Sequence, residues 1–204
     1  MPLELRPATE ADAAREAEIE ALAYAPNPFN HILFPGPFPP GAMAARAAEL
    51  AAELREDGDA GRWLKVVDTD LGEGAVAWAR WHIYADSGRP RPTPRRRTFG
   101  PGSNVEACEL LFDGIDEQKE RLIGERPCVY PKHQGRGAGG MLVNWGIEEA
   151  KRRGLPAYLV SSEAGHPLYQ KWGFRDLGLL RVDFSKWGAT EKQNNWVMIY
   201  EPSA

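Results

Sequence analysis

The sequence has little of what metal centres, disulfide frameworks or membrane spans require. Its 204 residues include two cysteines, Cys108 and Cys128, and four scattered histidines, so no disulfide pattern or metal-ligand spacing is present. No apolar run approaches the ~20 residues of a membrane-spanning helix. The first residues lack the basic and apolar parts of a signal peptide, and no Asn-x-Ser/Thr sequon occurs. We therefore expect a protein of the reducing cytoplasm that needs neither a metal nor a membrane.

Composition also argues against a nucleic-acid-binding protein. The formal net charge of −4 at pH 7 gives no general reason to expect nucleic acid as a partner. With 43% hydrophobic and 26% charged residues, the chain suits one globular domain over residues 1–204. A domain of this size buries roughly 70% of its unfolded surface.

Periodicity and capping residues predict a mixture of helices and strands. The predicted elements are a strand at 3–6, a helix at 10–23 capped by Thr9, a helix at 41–56, a hairpin of 63–67 with 75–84, a helix at 104–123 and a last strand at 193–200. Residues 26–40 contain too many prolines for regular structure, yet their aromatic residues predict that this segment packs against the rest of the protein.

The most informative segment is rich in glycine. Residues 135–140 contain four glycines and lead directly into the amphipathic stretch 141–153. Glycines let the backbone approach a ligand closely and adopt positive φ, and a helix start offers free N–H groups and a positive dipole end. The segment therefore predicts a phosphate cradle, most simply for a pyrophosphate.

One interpretation of this cradle is a dinucleotide site. Gly135, Gly137 and Gly140 satisfy the G-x-G-x-x-G pattern, and Glu163 lies at a suitable distance to meet a ribose hydroxyl. Such a fold needs several parallel βαβ units around the site. Fewer than half of the residues follow the loop, so the architecture argues against a dinucleotide-dependent oxidoreductase.

A second interpretation agrees with more of the chain. Gln134-x-x-Gly137-x-Gly139 is followed by a strand-like run at 155–162 and by the segment 165–174, which contains Pro-Leu-Tyr-x-x-x-Gly-Phe. Together these segments resemble the GCN5-related N-acetyltransferase (GNAT) superfamily. The resemblance implies an α/β (α+β) fold, with a mixed, mostly antiparallel twisted sheet splayed around the acetyl-CoA site and flanked by helices.

The resemblance also implies which residues bind acetyl-CoA as acyl donor. They are Cys128, Val129, Tyr130, Gln134, Gly135, Arg136, Gly137, Ala138, Gly139, Gly140, Ser162 and Tyr169. Pro127 is expected to cut short the strand before the loop, leaving residues 128–130 to offer backbone groups to the pantetheine arm. The family's usual glutamate base is missing there, since the nearest upstream carboxylate, Glu125, lies beyond the proline.

Catalysis requires a proton donor for the leaving thiolate and a base for the attacking amine. The resemblance implies Tyr169 as the acid; the alternative is a half-buried tyrosine that serves packing. Glu163 is the candidate base, and an exposed loop carboxylate is the alternative. His31 is a weaker candidate, because a lone histidine is more often structural.

Three functions follow from these patterns. The first is an acetyl-CoA-dependent N-acetyltransferase acting on a small-molecule or amino-acid-like amine, as a monomer or homodimer. The second is a noncatalytic acyl-CoA-binding module, and the third is the oxidoreductase. The arginine-rich residues 86–103 predict a solvated loop, with an electrostatic arm for an acidic substrate or the CoA 3′-phosphate as the alternative.

Overall fold

A seven-stranded sheet is the frame of the computed structural model. The structure describes residues 3–58, 61–70, 74–85, 97–124, 128–134 and 138–202, with 128–134 described as backbone. The strands are β1 (Leu3–Pro7), β2 (Gly61–Asp68), β3 (Ala75–Tyr84), β4 (Cys128–Gln134), β5 (Ala157–Ser162), β6 (Arg175–Asp183) and β7 (Lys192–Tyr200). The helices are α1 (Ala13–Tyr24), α2 (Asn30–Leu33), α3 (Ala42–Asp57), α4 (Val105–Leu122), α5 (Gly139–Arg153) and α6 (His166–Lys171).

The sheet is mixed and mostly antiparallel. Its strand order is β1-β2-β3-β4-β5-β7-β6. Every neighbouring pair is antiparallel except β4 and β5. The predicted fold class is therefore confirmed, whereas a dinucleotide fold would need an open sheet of several parallel strands.

Helices α5 and α6 cover one face of the sheet. Leu142 and Ile147 of α5 and Tyr169 of α6 share a buried cluster with Trp81 of β3 and Met198 of β7. The glycine-rich segment thus leads into a helix whose apolar side packs on the central strands.

The opposite face carries the other helices. Helices α1 and α3 cover Trp63 and Trp78, whose rings stack with centroids 5.5 Å apart. Helices α2 and α4 pack farther along this face, where Leu33 and Leu111 contact a cluster around Phe184. The helices that precede β4 therefore lie across the sheet from α5.

Two helix starts have capping side chains, of which Thr9 was predicted. Thr9 and Asp12 form a reciprocal capping box, in which the Thr9 backbone N–H donates to Asp12 Oδ2 at 2.8 Å. Asn104 Oδ1 accepts from the Ala107 N–H at 3.3 Å and fixes the start of α4. Such caps satisfy amide donors that the helix itself leaves unpaired.

The segment at 26–40 differs in one respect from the prediction. Its packing is confirmed, because Ile32 and Leu33 are 5% and 3% exposed. The absence of regular structure is wrong, since Asn30–Leu33 forms α2. Pro28 and Pro35 flank this turn without entering it, and a proline just ahead of a helix breaks none of its hydrogen bonds.

Most of the arginine-rich stretch, residues 86–96, lies outside the described residues. At its described end, Arg97 pairs with Asp116 of α4 and lies over the Phe112 ring, 5.1 Å from the centroid. This end is therefore attached to α4, and the two predicted roles of the stretch stay predictions.

Candidate functional site

Strands β4 and β5 meet at one register position and then separate. Val129 lies opposite Ala157. Beyond it, residues 130–134 pair with β3, and residues 158–162 pair with β7. Among the described residues, no strand pairing joins the facing edges of β4 and β5 past this point. Both edges can therefore present backbone N–H and C=O groups to an extended ligand between them.

Strand β4 reaches farther than predicted. It begins at Cys128, just after Pro127, but continues through residue 130 to Gln134. The expectation of a shortened strand is wrong at its C-terminal end, because antiparallel pairing with β3 holds these residues extended. Gln134, predicted as part of the cradle, is thus the last residue of a strand.

A β-bulge interrupts β4 in the middle of this edge. The register with β3 shifts so that Pro131 lies opposite Trp81 and His133 lies opposite Arg80, which leaves Lys132 as the extra residue. A bulge tolerates proline inside a strand because the ladder is already broken there. It also bends the strand at the point where β4 has left β5.

Helix α5 begins without a capping side chain. Its N-cap position is Ala138, and no side chain accepts a hydrogen bond from the first turn among the described residues. The Met141 N–H donates to the Ala138 carbonyl at 3.1 Å, and the amides of Gly139 and Gly140 are available to an anion at the positive end of the helix dipole. The cradle residues Gly135, Arg136 and Gly137 lie outside the described residues, so their roles stay predictions.

Gly139 and Gly140 form the first turn of α5 and do not adopt positive φ. A Cβ atom on Gly139 would lie 3.6 Å from Leu168, and one on Gly140 would lie 3.5 Å from Trp172. Both distances are ordinary van der Waals contacts, so the first turn of α5 lies beside the side chains of α6 and its C-cap. A shallow cavity of about 360 Å³ adjoins this contact and is lined by Leu3, Ala138, Gly140, Met141, Asn144 and Trp172.

Tyr169 belongs to the buried cluster that α5 and α6 form with the central strands. It is 1% exposed, and its ring packs edge-on to Phe174 with centroids 5.8 Å apart. Burial raises the pKa of the Tyr169 phenol well above its usual value, and the nearby Tyr24 adds to the effect. The phenol therefore keeps its proton at neutral pH. The predicted packing role and the predicted acid role are both compatible with this position.

Ser162 and Glu163 lie at the other end of the gap. Ser162 ends β5, and Glu163 follows in an exposed turn. Ser162 and Gln134 each lie five residues beyond the paired Val129 and Ala157, at the ends of two strands that have separated. Their roles in binding and catalysis stay predictions.

A polar group on β3 escaped the sequence analysis. Arg80 is 4% exposed and forms ion pairs with Glu53 and Asp57 of α3. Asp57 Oδ2 also accepts a hydrogen bond from Trp63 Nε1 at 2.8 Å. The alternation of Trp78, Arg80, His82 and Tyr84 along a strand was the available signal, since every second residue of a strand shares one face.

His82 follows Arg80 on that face. Its Nε2 lies 4.0 Å from Asp57 Oδ2, and 13% of its side chain is exposed. The imidazole ring stacks on Tyr84 with centroids 5.9 Å apart and an interplanar angle of 8°. His31, the histidine weighed from the sequence, lies exposed on α2.

No cluster of three or more His, Cys, Asp or Glu side chains suited to a metal ion occurs in the described part of the chain. Within the same residues, no helix is both long and apolar enough to span a membrane.

Comparison with known proteins identifies relatives of the region around the gap. An acetyltransferase (GNAT) domain model matches residues 102–176. The probable acyltransferase SID5 of Ajellomyces capsulatus is 33% identical over 98 residues, which cover 48% of this chain and 68% of that protein.

Solved structures extend the similarity to the whole fold. The histone acetyltransferase HPA2 and related acetyltransferase structure from Corynebacterium glutamicum has a TM-score of 0.60 at 21% identity, covering 100% of this chain and 98% of that chain. The polyamine N-acetyltransferase of Drosophila melanogaster has a TM-score of 0.64 at 16% identity, covering 98% and 100%. The domain match, the acyltransferase relative and the splayed sheet agree: the chain belongs to the GNAT family of acetyltransferases.

Proposed function

We propose that the protein transfers an acetyl group from acetyl-CoA to the amine of a small-molecule or amino-acid-like acceptor. The observation that carries the proposal is the separation of β4 from β5 beyond Val129 and Ala157. The pantetheine arm of acetyl-CoA is an extended chain with two amide groups. An unpaired strand edge can bind such a chain through its backbone N–H and C=O groups.

The start of α5 supports acetyl-CoA as donor at the other end of the same gap. Its uncapped first turn fits a pyrophosphate. An arm lying along β4 from Gln134 toward Val129 would carry the thioester past the bulge at Lys132. GNAT proteins generally use acetyl-CoA, which agrees with this arrangement.

Tyr169 fits the role of general acid. The amine attacks the thioester carbonyl, and collapse of the tetrahedral species expels the CoA sulfur as a thiolate. The Tyr169 phenol is protonated at neutral pH, so it holds a proton that it can donate to this sulfur. Its packing against Phe174 fixes the ring, so the donor needs little reorganisation.

The noncatalytic acyl-CoA-binding module would share the gap and the helix start. The two functions differ in what happens to the bound thioester. The deciding experiment is therefore thiol release from acetyl-CoA with a panel of small amines, together with calorimetry of acetyl-CoA, CoA and NAD.

We expect acetyl-CoA to bind and thiol release to depend on the amine. Gly137→Val should abolish acetyl-CoA binding while the protein stays folded, because a β-branched side chain in the cradle blocks approach of the phosphates. Tight binding without turnover for any amine would favour the noncatalytic module. Binding of NAD but not of CoA would overturn both.

A further inference from the structure

We propose that His82 is the general base that takes a proton from the acceptor amine, and that Asp57 orients its imidazole and stabilises the charged form. This inference rests on the proposed function. The proposed base then lies on β3, which is separated from the gap by β4, and not in the loops that border the cradle.

His82 lies beside the point where β4 and β5 separate. His82 lies opposite Tyr130 of β4, one residue beyond Val129, where β4 leaves β5. Directly opposed residues of antiparallel strands have Cα atoms about 4.5–5.5 Å apart. His82 is therefore one strand spacing from the edge along which the donor would lie, and near its thioester end.

The side chain of His82 lies on the face of the sheet that α3 covers. Arg80 reaches α3, so His82, two residues farther along the strand, lies on that same face. Trp81 lies on the other face and packs with α5, which begins at the cradle. A donor held from the α5 side and an acceptor arriving from the α3 side would meet at the gap, with His82 on the acceptor side.

Hydrogen bonds from β2 and β3 hold the Asp57 carboxylate in place. Arg80 donates to both oxygens of its carboxylate, and Trp63 Nε1 donates to Oδ2 at 2.8 Å. The carboxylate is thus fixed at the end of α3, with its Oδ2 4.0 Å from His82 Nε2. An anion at this distance favours the protonated imidazole.

The charges on the elements packed around this pair reinforce the effect. The network between α1, α3 and β3 contains more carboxylates than guanidinium groups; its members are Glu20, Arg46, Glu49, Glu53, Asp57 and Arg80. Tyr84 stacks on the ring, and Tyr130 lies opposite His82 on β4. Counted together, the charged groups of this network carry a net negative charge on the α3 side of β3.

Neutral His82 accepts one proton from the alkylammonium acceptor, directly or through one water, because its side chain keeps 13% exposure. The neutral amine forms the C–N bond to the thioester carbon, and the C–S bond breaks on collapse. Tyr169 protonates the departing sulfur, and the second nitrogen proton restores Tyr169 through solvent. His82 then releases its proton to solvent, so one proton is liberated for each amide formed.

The test compares His82→Gln with wild type on two classes of acceptor. For an alkylamine that is charged at the assay pH, kcat/KM should fall on the order of 100-fold. For this variant, the decrease of kcat/KM at low pH should then reflect only the protonation of the amine substrate. For a weakly basic aromatic amine, already neutral, the loss should be under about 10-fold, since no proton must be removed before attack. Acetyl-CoA affinity and thermal midpoint should stay near those of wild type.

A readout independent of turnover comes from NMR titration of the imidazole in the ligand-free protein. Asp57→Asn keeps an oxygen acceptor for Trp63 but removes the charge, so the His82 titration midpoint should move to lower pH. If Asp57→Asn does not fold, Glu53→Gln, which removes the other carboxylate paired with Arg80, should shift the midpoint in the same direction by a smaller amount.

Three results would overturn the proposal. Equal turnover of His82→Gln and wild type would remove His82 from catalysis, and an equal loss for both amine classes would show a structural role. Loss of the acid limb in His31→Gln and not in His82→Gln would place the base on α2. If wild type released no thiol with any amine, the proposed function itself would fail, and the base assignment would fall with it.

Discussion

The ring of Trp81 fills the space that a Cβ atom on Gly146 would need. Atoms Cη2 and Cζ2 of the ring lie far inside van der Waals distance of that position, so the side chain of β3 occupies the space beside the α5 backbone at Gly146. Trp81 is 1% exposed, so it has no free side to move into. This one contact sets how closely the helix that starts at the cradle can lie on the sheet.

Gly146→Ala should therefore destabilise the protein. Overpacking a core costs typically 1–3 kcal/mol, which outweighs the ~1 kcal/mol that alanine gains over glycine inside a helix. Chemical denaturation measures the difference. Gly114→Ala in α4 is the matched control, because its Cβ would lie 3.4 Å from the mobile end of Leu180. It should be neutral or stabilising, and equal stability of the two variants would contradict this account of the contact.

Glu16 should make stability depend on pH. The residue is fully buried, and neither carboxylate oxygen has a hydrogen-bond partner among the described residues. Burial, with a further contribution from Asp12, raises its pKa to about 7, while Lys65 opposes the shift. The folded state then holds a proton that the unfolded state has already lost. This contribution to stability is complete below about pH 4.5 and is lost as pH rises to about 7.

Replacing the carboxyl group removes this dependence. Relative to wild type, Glu16→Gln should gain stability between pH 4.5 and 7, by at most roughly 3 kcal/mol. Urea unfolding across this range provides the measurement. Glu18→Gln on the exposed side of α1 is the control and should show no such trend. Parallel stability curves for Glu16→Gln and wild type would mean that Glu16 is not neutral in the folded state.

Tyr169→Phe should lower turnover without loosening donor binding. The change keeps the ring and its contact with Phe174 but removes the proton donor, so kcat should fall on the order of 10- to 1,000-fold. Thiol release and calorimetry with acetyl-CoA separate the two effects. Tyr158→Phe is the matched control, since Tyr158 is equally buried but packs on the opposite face of β5. Unchanged kcat in Tyr169→Phe would leave Tyr169 a packing residue.

Local signals predicted the elements that local interactions determine. Thr9 and Asn104 satisfy amides within three residues of themselves, and the helices beside them begin within one turn of the predicted positions. The alternation near the C-terminus placed β7 to within one residue, because a half-buried strand imposes period two on its own sequence. These features need no knowledge of the rest of the chain.

Long-range pairing determined what the sequence did not reveal. The end of β4 at Gln134 depends on pairing with β3, which lies about fifty residues earlier. The expectation that Pro127 shortens this strand therefore underestimated its length. Asp57 and His82 meet only because the end of α3 packs on the middle of β3. The cradle glycines could be recognised in the sequence, and Tyr169 could be recognised through the family resemblance. The alternation along β3 places His82 on one face of the strand, but it does not reveal that the carboxylate of Asp57 lies near it.

Side chains on the two faces of β3 are under different constraints on substitution. Residues such as Ala79 and Trp81 are fixed by the helix that begins at the cradle, so they change only with the donor-binding half of the protein. His82 and Tyr84 alternate with them on the side of α3, where our proposal places the acceptor and keeps His82 constant as the base. Under that proposal, substitutions on this face at positions other than His82 would change acceptor selection and leave the binding of the acyl donor unchanged.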